Sequence, residues 1–222
     1  MSRLRSRNAQ EKSERRDAIL DSAMRVFFAR GFEKSSMDDI ARDAGLSRSL
    51  LYVYFKDKDD IHMGLCVRAG QTLARFMAEE IDQHERGIDR VKATGQAYYR
   101  FYRQEPGLFS ILSMRLGKQS ETVGEPENIT PLMLQMQEVE EQIMTLMVSA
   151  IESGLKDHSV DRNKISDSLQ TAMFLRGSLH GVIMLTDVAG SNLFDRVGLV
   201  REALIDYGLD TITESLALVD AG

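Results

Sequence analysis

Three residues suited to opening helices, Ser36, Ser47 and Asp57, crowd into positions 36–57, and glycines stand at 31 and 45 at the edges of the apolar runs between them. A Ser or Asp at an N-cap accepts a hydrogen bond from an amide that the first helical turn leaves unpaired, and glycine takes the left-handed conformation that closes a helix. This punctuation cuts the chain into short helices. The first runs from about Glu14 to Arg30, the second from Ser36 to Gly45 and the third from Ser47 to about Phe55. Asp57 then opens a long fourth helix with Asp59 and Asp60 in its first turn, where the helix dipole favours acids. Asp39, three positions after Ser36, stands where Glu or Gln usually completes a capping box.

The remaining pattern is also helical. Ile19, Ala23, Val26 and Phe27 repeat at i, i+4, i+7, i+8, and no sustained period-two alternation bounded by turns occurs. Further helices are predicted at about 58–85, 88–104, 107–117, 131–156, 161–189 and 195–219. A polar loop from Gly117 to Pro131 contains Gly124 and Pro126. The predicted fold class is all-α, with about nine helices: a three-helix head containing a helix-turn-helix, and a larger helical body. The expected domain boundary follows Lys58, giving domains 1–58 and 59–222.

Charge divides at the same point. The 222 residues carry a net charge of -6. Residues 1–58 hold 13 Lys or Arg against 9 Asp or Glu, while the remainder holds 15 against 25, so a basic head (+4) joins an acidic body (-10). Arg3, Arg5, Arg7, Lys12, Arg15 and Arg16 form a basic arm that suits either a DNA minor groove or a solubilising tail. The arm has no apolar stretch behind it, and no run reaches the roughly 18 apolar residues of a membrane span, so a cytoplasmic protein without membrane contact is expected. Cys66, the single cysteine, reads as a small buried hydrophobe.

Met37 to Leu51 has the pattern of a helix-turn-helix. Ile40, Ala41 and Ala44 point inward, Gly45 makes the turn, and Leu46 and Leu51 close the small core. Ala41 is small where two helices cross. The outward face of the third helix is left with Arg48, Ser49, Tyr52, Val53 and Tyr54, a surface suited to a major groove.

Gly31-Phe32, Ser36-Met37-Asp38-Asp39-Ile40-Ala41, Ala44-Gly45-Leu46-Ser47 and Leu51-Tyr52-Val53-Tyr54-Phe55-Lys56-Asp57-Lys58 together resemble the DNA-binding signature of the TetR family of transcriptional regulators. The resemblance implies that Arg48, Ser49 and Tyr54 face base edges, with Leu50 against a thymine methyl or in the core. It further implies that Ser36, Ser47, Tyr52 and Lys58 contact phosphates, although the two serines are also accounted for as caps. Arg48 is the prime candidate for base reading, because its two donors match guanine O6 and N7.

The resemblance also implies a homodimer paired through the last two helices, 161–189 and 195–219, a pseudo-palindromic double-stranded operator, and repression relieved by a small effector. Gly177, Ser178 and Gly181 would permit close helix approach. Candidate effector contacts are Phe76, Tyr98, Tyr102, Phe109, Met114, Met136, Met144, Met147, Phe174, Arg176 and His180, with Arg115 a further polar candidate; the Met-rich set suits a hydrophobic molecule. A body that binds a protein partner instead remains the alternative. No enzyme is expected, with no catalytic residues, cofactor or metal. The four histidines are isolated, Cys66 lacks a partner cysteine, no phosphate loop or Gly-x-Ser-x-Gly elbow occurs, and Glu79-Glu80 and Glu140-Glu141 read as solvated faces.

Overall fold

The structure is a computed structural model that describes residues 2–117, 129–188, 196 and 198–218; the side chains of residues 2–9, 115–117, 187 and 188 lie outside the description. Among the described residues the chain forms nine α-helices: α1 (Ser2–Arg30), α2 (Met37–Asp43), α3 (Arg48–Tyr54), α4 (Lys58–Ile81), α5 (Gly87–Gln104), α6 (Pro106–Gly117), α7 (Pro131–Lys156), α8 (Ser168–Val188) and α9 (Arg201–Leu216). A short 3-10 turn covers Arg162–Lys164, and an isolated bridge joins Val160 to Ala217.

The predicted capping chemistry operates. Gly31 and Gly45 have φ of +80° and +65°, and the Gly31 amide donates to Phe27 O at 2.8 Å. Ser36 Oγ accepts from the Asp39 amide while Asp39 accepts from the Ser36 amide, so aspartate completes the capping box. Ser47 Oγ accepts from the Leu50 amide and Asp57 from the Asp60 amide.

Three boundaries differ from the sequence expectation. First, α1 begins at Ser2 and not near Glu14, which makes the basic arm part of the helix; Arg16 lies over the Phe55 ring, 5.0 Å from its centroid. Second, the segment expected as one helix over 161–189 is interrupted. Asp161 accepts from the Asn163 amide and Asp167 from the Gln170 amide, and each of these Asx contacts starts a separate element. Third, α9 spans Arg201–Leu216, ending where Ala217 enters the bridge to Val160. Most of the predicted loop between Gly117 and Pro131, and the predicted helix start at 195, lie outside the described residues.

The contacts group the chain into two compact units, Met1–Ala69 with Pro106–Gln137, and Gly70–Glu105 with Glu138–Gly222. In the first, Ile19, Leu20, Ala23 and Phe27 of α1 are buried with Ile40 and Ala41 of α2, Leu51 and Phe55 near α3, and Ile61 and Leu65 of α4. Truncating one of these large side chains to Ala costs about 2–5 kcal/mol through lost burial and the cavity left behind. Cys66 is fully buried here, as expected of a small hydrophobe.

In the second unit, α5 buries Ile88, Val91, Thr94, Ala97, Tyr98 and Phe101, a helical stripe, and packs against α8 and α9. Two glycines set how closely α5 and α7 approach: a Cβ at Gly87 would run into the backbone of Gly154. Asp157 and Ser159 cap the start of α5 from across the chain, accepting from the Gly87 amide at 2.6 Å and the Ile88 amide at 2.9 Å. Among the described residues no helix is long and apolar enough to cross a membrane.

Candidate functional site

Among the described residues, the outward face of α3 and a small cavity beside α5 are candidate sites for a partner. On α3, Arg48, Ser49, Tyr52 and Val53 are exposed, Leu50 and Tyr54 are half-buried, and Leu51 is fully buried. This division follows from helical spacing, since Leu51 anchors α3 in the core while residues on the opposite side face solvent. Arg48 is not left loose. Its guanidinium donates to Asp38 Oδ2 of α2 at 3.1 Å and lies 5.7 Å from the centroid of the Tyr52 ring. Tyr52, the larger contributor, and Asp38 both raise the Arg48 pKa.

Ser36 and Ser47 sit exposed at the N-termini of α2 and α3, each occupied by its cap; Ser47 Oγ also lies 3.1 Å from Ser49 Oγ. The Asp39 carboxyl is held below the usual range, first by the Ser36 hydroxyl and then by Arg30 and Arg42, against an opposing effect of burial. Lys58 is engaged more heavily than the sequence suggests. Its ammonium donates to the carbonyls of Phe32 at 2.7 Å, Ser35 at 3.2 Å and Glu33 at 3.5 Å, and it lies 4.3 Å from the Phe32 ring centroid. Lys58 therefore fastens the turn between α1 and α2, a role that the sequence did not reveal. Asp38 as the partner of Arg48 was likewise missed, although ten positions of separation across a short turn would permit it.

The cavity lies within the second unit, with a free volume of about 30 Å³. Val91, Lys92, Thr94, Gly95 and Tyr98 of α5 form one wall, and Leu175, Arg176 and Leu179 of α8 another. Met77, Met147, Leu209, Ile212 and Thr213 complete it. Tyr98 Oη lies 2.7 Å from His180 Nδ1. Burial pushes the phenol up to about 12, a shift Arg176 partly opposes, and lowers the imidazole pKa, which Arg176 lowers further, so the pair is neutral near pH 7.

Of the eleven predicted effector contacts, the structure brings Tyr98, Met147 and Arg176 to the cavity wall. His180 bonds to Tyr98, and the Met144 sulfur is 3.9 Å from an Arg176 nitrogen. The other six lie elsewhere. Phe76 is buried against Phe101 and under the Arg75 and Arg100 guanidiniums. Phe174 is 68% exposed on α8, because its side of that helix is left uncovered by the described residues. Tyr102 stacks on Tyr99. Phe109, Met114 and Met136 belong to the first unit, with Phe109 and Met136 in its core. The side chain of Arg115 is outside the description. The signal that the sequence did offer was the α5 stripe Val91, Thr94, Gly95, Tyr98, at i, i+3, i+4, i+7.

Comparison with known proteins bears on the head most directly. Residues 19–62 match the family of bacterial regulatory proteins, tetR family. The segment is the same one in which the capped helices and the outward α3 face were found. Residues 19–62 thus carry the DNA-binding region of the tetR family of bacterial regulatory proteins.

The repressor BepR of Brucella suis is 41% identical over 75 residues, 34% of this chain and 34% of its own length. The activator FasR of Mycolicibacterium smegmatis is 25% identical over 151 residues, covering 68% of this chain and 66% of its own. The chain thus matches about a third of one curated relative and just under two thirds of the other. In fold, the chain is similar to the transcriptional regulator FadR of Bacillus subtilis, solved in complex with stearoyl-CoA, with a TM-score of 0.66, 16% identity, and 90% and 98% of the two chains covered.

Proposed function

We propose that this protein is a DNA-binding transcriptional repressor that works as a homodimer and leaves its operator when a small apolar effector enters the second unit. The observation that carries the reading is the α3 face: an exposed Arg48, oriented by Asp38 and Tyr52, at the N-terminal end of the second helix of a helix-turn-helix. In this reading Arg48, Ser49 and Tyr54 reach base edges, Leu50 meets a thymine methyl, and Ser36, Ser47 and Tyr52 contact phosphates. Lys58 joins the phosphate contacts by turning an N–H from the α1–α2 turn, to which it is now committed.

Support for pairing comes from α8. Leu169, Met173, Gly177, Gly181 and Leu185 recur every four residues; the three large ones are 48–62% exposed, and a Cβ at either glycine would meet nothing within 4 Å. With Phe174 and, on α9, the exposed Tyr207, this is a smooth apolar surface suited to a second copy, and a dimer presents two heads to a two-fold operator. The stearoyl-CoA carried by FadR supports an apolar effector. Coupling is available through α4, a single helix holding Met77 at the cavity and Lys58 beside α3. Repression follows BepR, which has the higher identity over the matched segment, whereas FasR is an activator.

One observation favours a second reading. A cavity of about 30 Å³ holds only one or two waters, so this part of the body is nearly filled, as suits a module that binds a protein partner. The test is fluorescence anisotropy on the DNA upstream of the chain's own coding region across a salt series, with light scattering for mass. Tight, salt-sensitive binding by a dimer, with sequence preference altered by Arg48→Ala, is expected. Binding by a monomer, or binding indifferent to Arg48→Ala, rules the reading out.

A further inference from the structure

The cavity wall carries one positive charge that the described residues do not answer. Lys92 is paired with Asp210, and its cation is favoured first by that hydrogen bond and further by Asp206 and Asp89. Arg176 has no such partner. It is half-buried on α8, and among the described residues its one hydrogen-bond contact is the Met144 thioether, a weak acceptor. The neighbouring polar pair is Tyr98 and His180, which hydrogen-bond each other and bring no negative charge. Around them the lining is apolar: Met77, Val91, Met147, Leu175, Leu179 and Leu209. A half-buried guanidinium satisfied by sulfur gains far more from an oxyanion, to which it can present two parallel N–H donors.

We infer that the effector site takes an anionic amphiphile, an apolar body ending in one carboxylate or phosphate group, whose oxyanion is bound by Arg176. The inference rests on the proposed effector site and adds its headgroup chemistry. The apolar body displaces the contact between Gly95 and Leu209, where α5 and α9 approach so closely that a Cβ on Gly95 would overlap the leucine. Met77 and Met147 are unbranched and can move aside, so the present small volume is the closed state of the site. Tyr98 and His180 stand beside the headgroup as a neutral pair, able to turn a hydrogen toward the anion without adding a second charge.

Calorimetric titration of the full-length protein with dodecanoate, dodecyl phosphate and dodecanol, each below its micelle concentration, tests this. Wild type is expected to bind at least one of the two anions roughly tenfold or more tighter than the alcohol, the margin of a charge-assisted hydrogen bond. Arg176→Gln should lose that margin and keep the dodecanol affinity, while Arg176→Lys should retain part of it. Equal binding of anion and alcohol by wild type, or an undiminished margin in Arg176→Gln, overturns the anionic headgroup and leaves the apolar effector site standing. No binding of any probe by protein that still binds DNA overturns both.

Discussion

The head and the cavity are built on opposite plans. Every residue of the α3 face lies within positions 36–58, close along the chain, and most are already engaged locally in holding the fold. Ser36 and Ser47 cap helices, Lys58 fastens a turn, and Arg48 leans on Tyr52. The cavity draws its wall from α4, α5, α7, α8 and α9, residues 77–213, and most of its lining side chains do nothing but fill space. A locally assembled surface survives changes elsewhere in the fold. A wall assembled from five helices depends on how closely those helices pack, so the two regions should respond differently to the same kind of substitution.

The largest expected effect tests that dependence. Gly87→Ala places a methyl group on the Gly154 backbone, where no flexible side chain can give way, and should destabilise the second unit by about 3 kcal/mol or more. Gly177→Ala puts the same methyl where no described residue of its own chain lies within 4 Å, so within one chain it should cost nothing and gain up to about 1 kcal/mol from helix propensity, with any loss confined to pairing through the α8 face. Denaturant unfolding of both variants provides the check. Equal stability of the two would mean that the α5–α7 approach is slack and the wall less demanding than the comparison supposes.

Next in size is Arg48→Ala. Removal of a bidentate guanine contact should reduce operator discrimination about ten- to a hundredfold while the melting temperature stays near that of wild type, because Arg48 is exposed and makes no core contact. Competition binding against scrambled DNA measures the first and differential scanning calorimetry the second. A variant that unfolds early while keeping its discrimination would assign Arg48 to the fold. Lys58→Ala should behave the other way. It strips partners from the Phe32 and Ser35 carbonyls, so a stability loss of about 1–2 kcal/mol is expected alongside weaker binding to all sequences. Lys58→Ala protein as stable as wild type would return this lysine to a purely phosphate-binding role.

These contrasts also explain what the sequence disclosed. Caps and turns are decided by neighbours three or four positions away, so Ser36, Ser47, Asp57, Gly31 and Gly45 were legible, and Asp39 serving in the capping box was readable from spacing alone. The N-terminal extent of α1 is not legible in the sequence, because charge says nothing about whether an arm is helical. The breaks at Asp161 and Asp167 are hidden because a helical apolar period runs on across an aspartate that turns to cap. At the cavity, residue type pointed to aromatics and methionines. Which of these lined a space was a matter of helix packing, so Phe76 and Met136 became core and Phe174 surface, while Leu179, Leu209 and Ile212 carried no distinguishing chemistry.

The smallest effect compares a carboxylate cap in each region. Asp39 in the head and Asp157 in the body both have carboxyl groups held below the ordinary aspartate range. For Asp39 the Ser36 hydroxyl acts first. For Asp157 burial pushes upward but is outweighed by the Ser159 hydroxyl and the Gly87 and Ser159 amides. A carboxyl whose folded pKa is depressed releases its proton more readily folded than unfolded. Each therefore contributes stability that is fully present above the unfolded value, and that is lost as pH falls through the folded one. Amide exchange at Gly87, which donates to Asp157, and at Ser36, which donates to Asp39, should accelerate relative to the global rate below about pH 4. The head should show this within a short segment. In the body Asp157 closes the start of α5 across a sequence separation of 70 residues, so its protonation should loosen the α5–α7 approach as well. Asp157→Asn should remove the acid dependence at Gly87 and leave that at Ser36 intact, with Asp39→Asn doing the converse. If one substitution flattens both, the two regions share a single cooperative unfolding event at low pH, and the local character assigned to the head would hold only near neutrality.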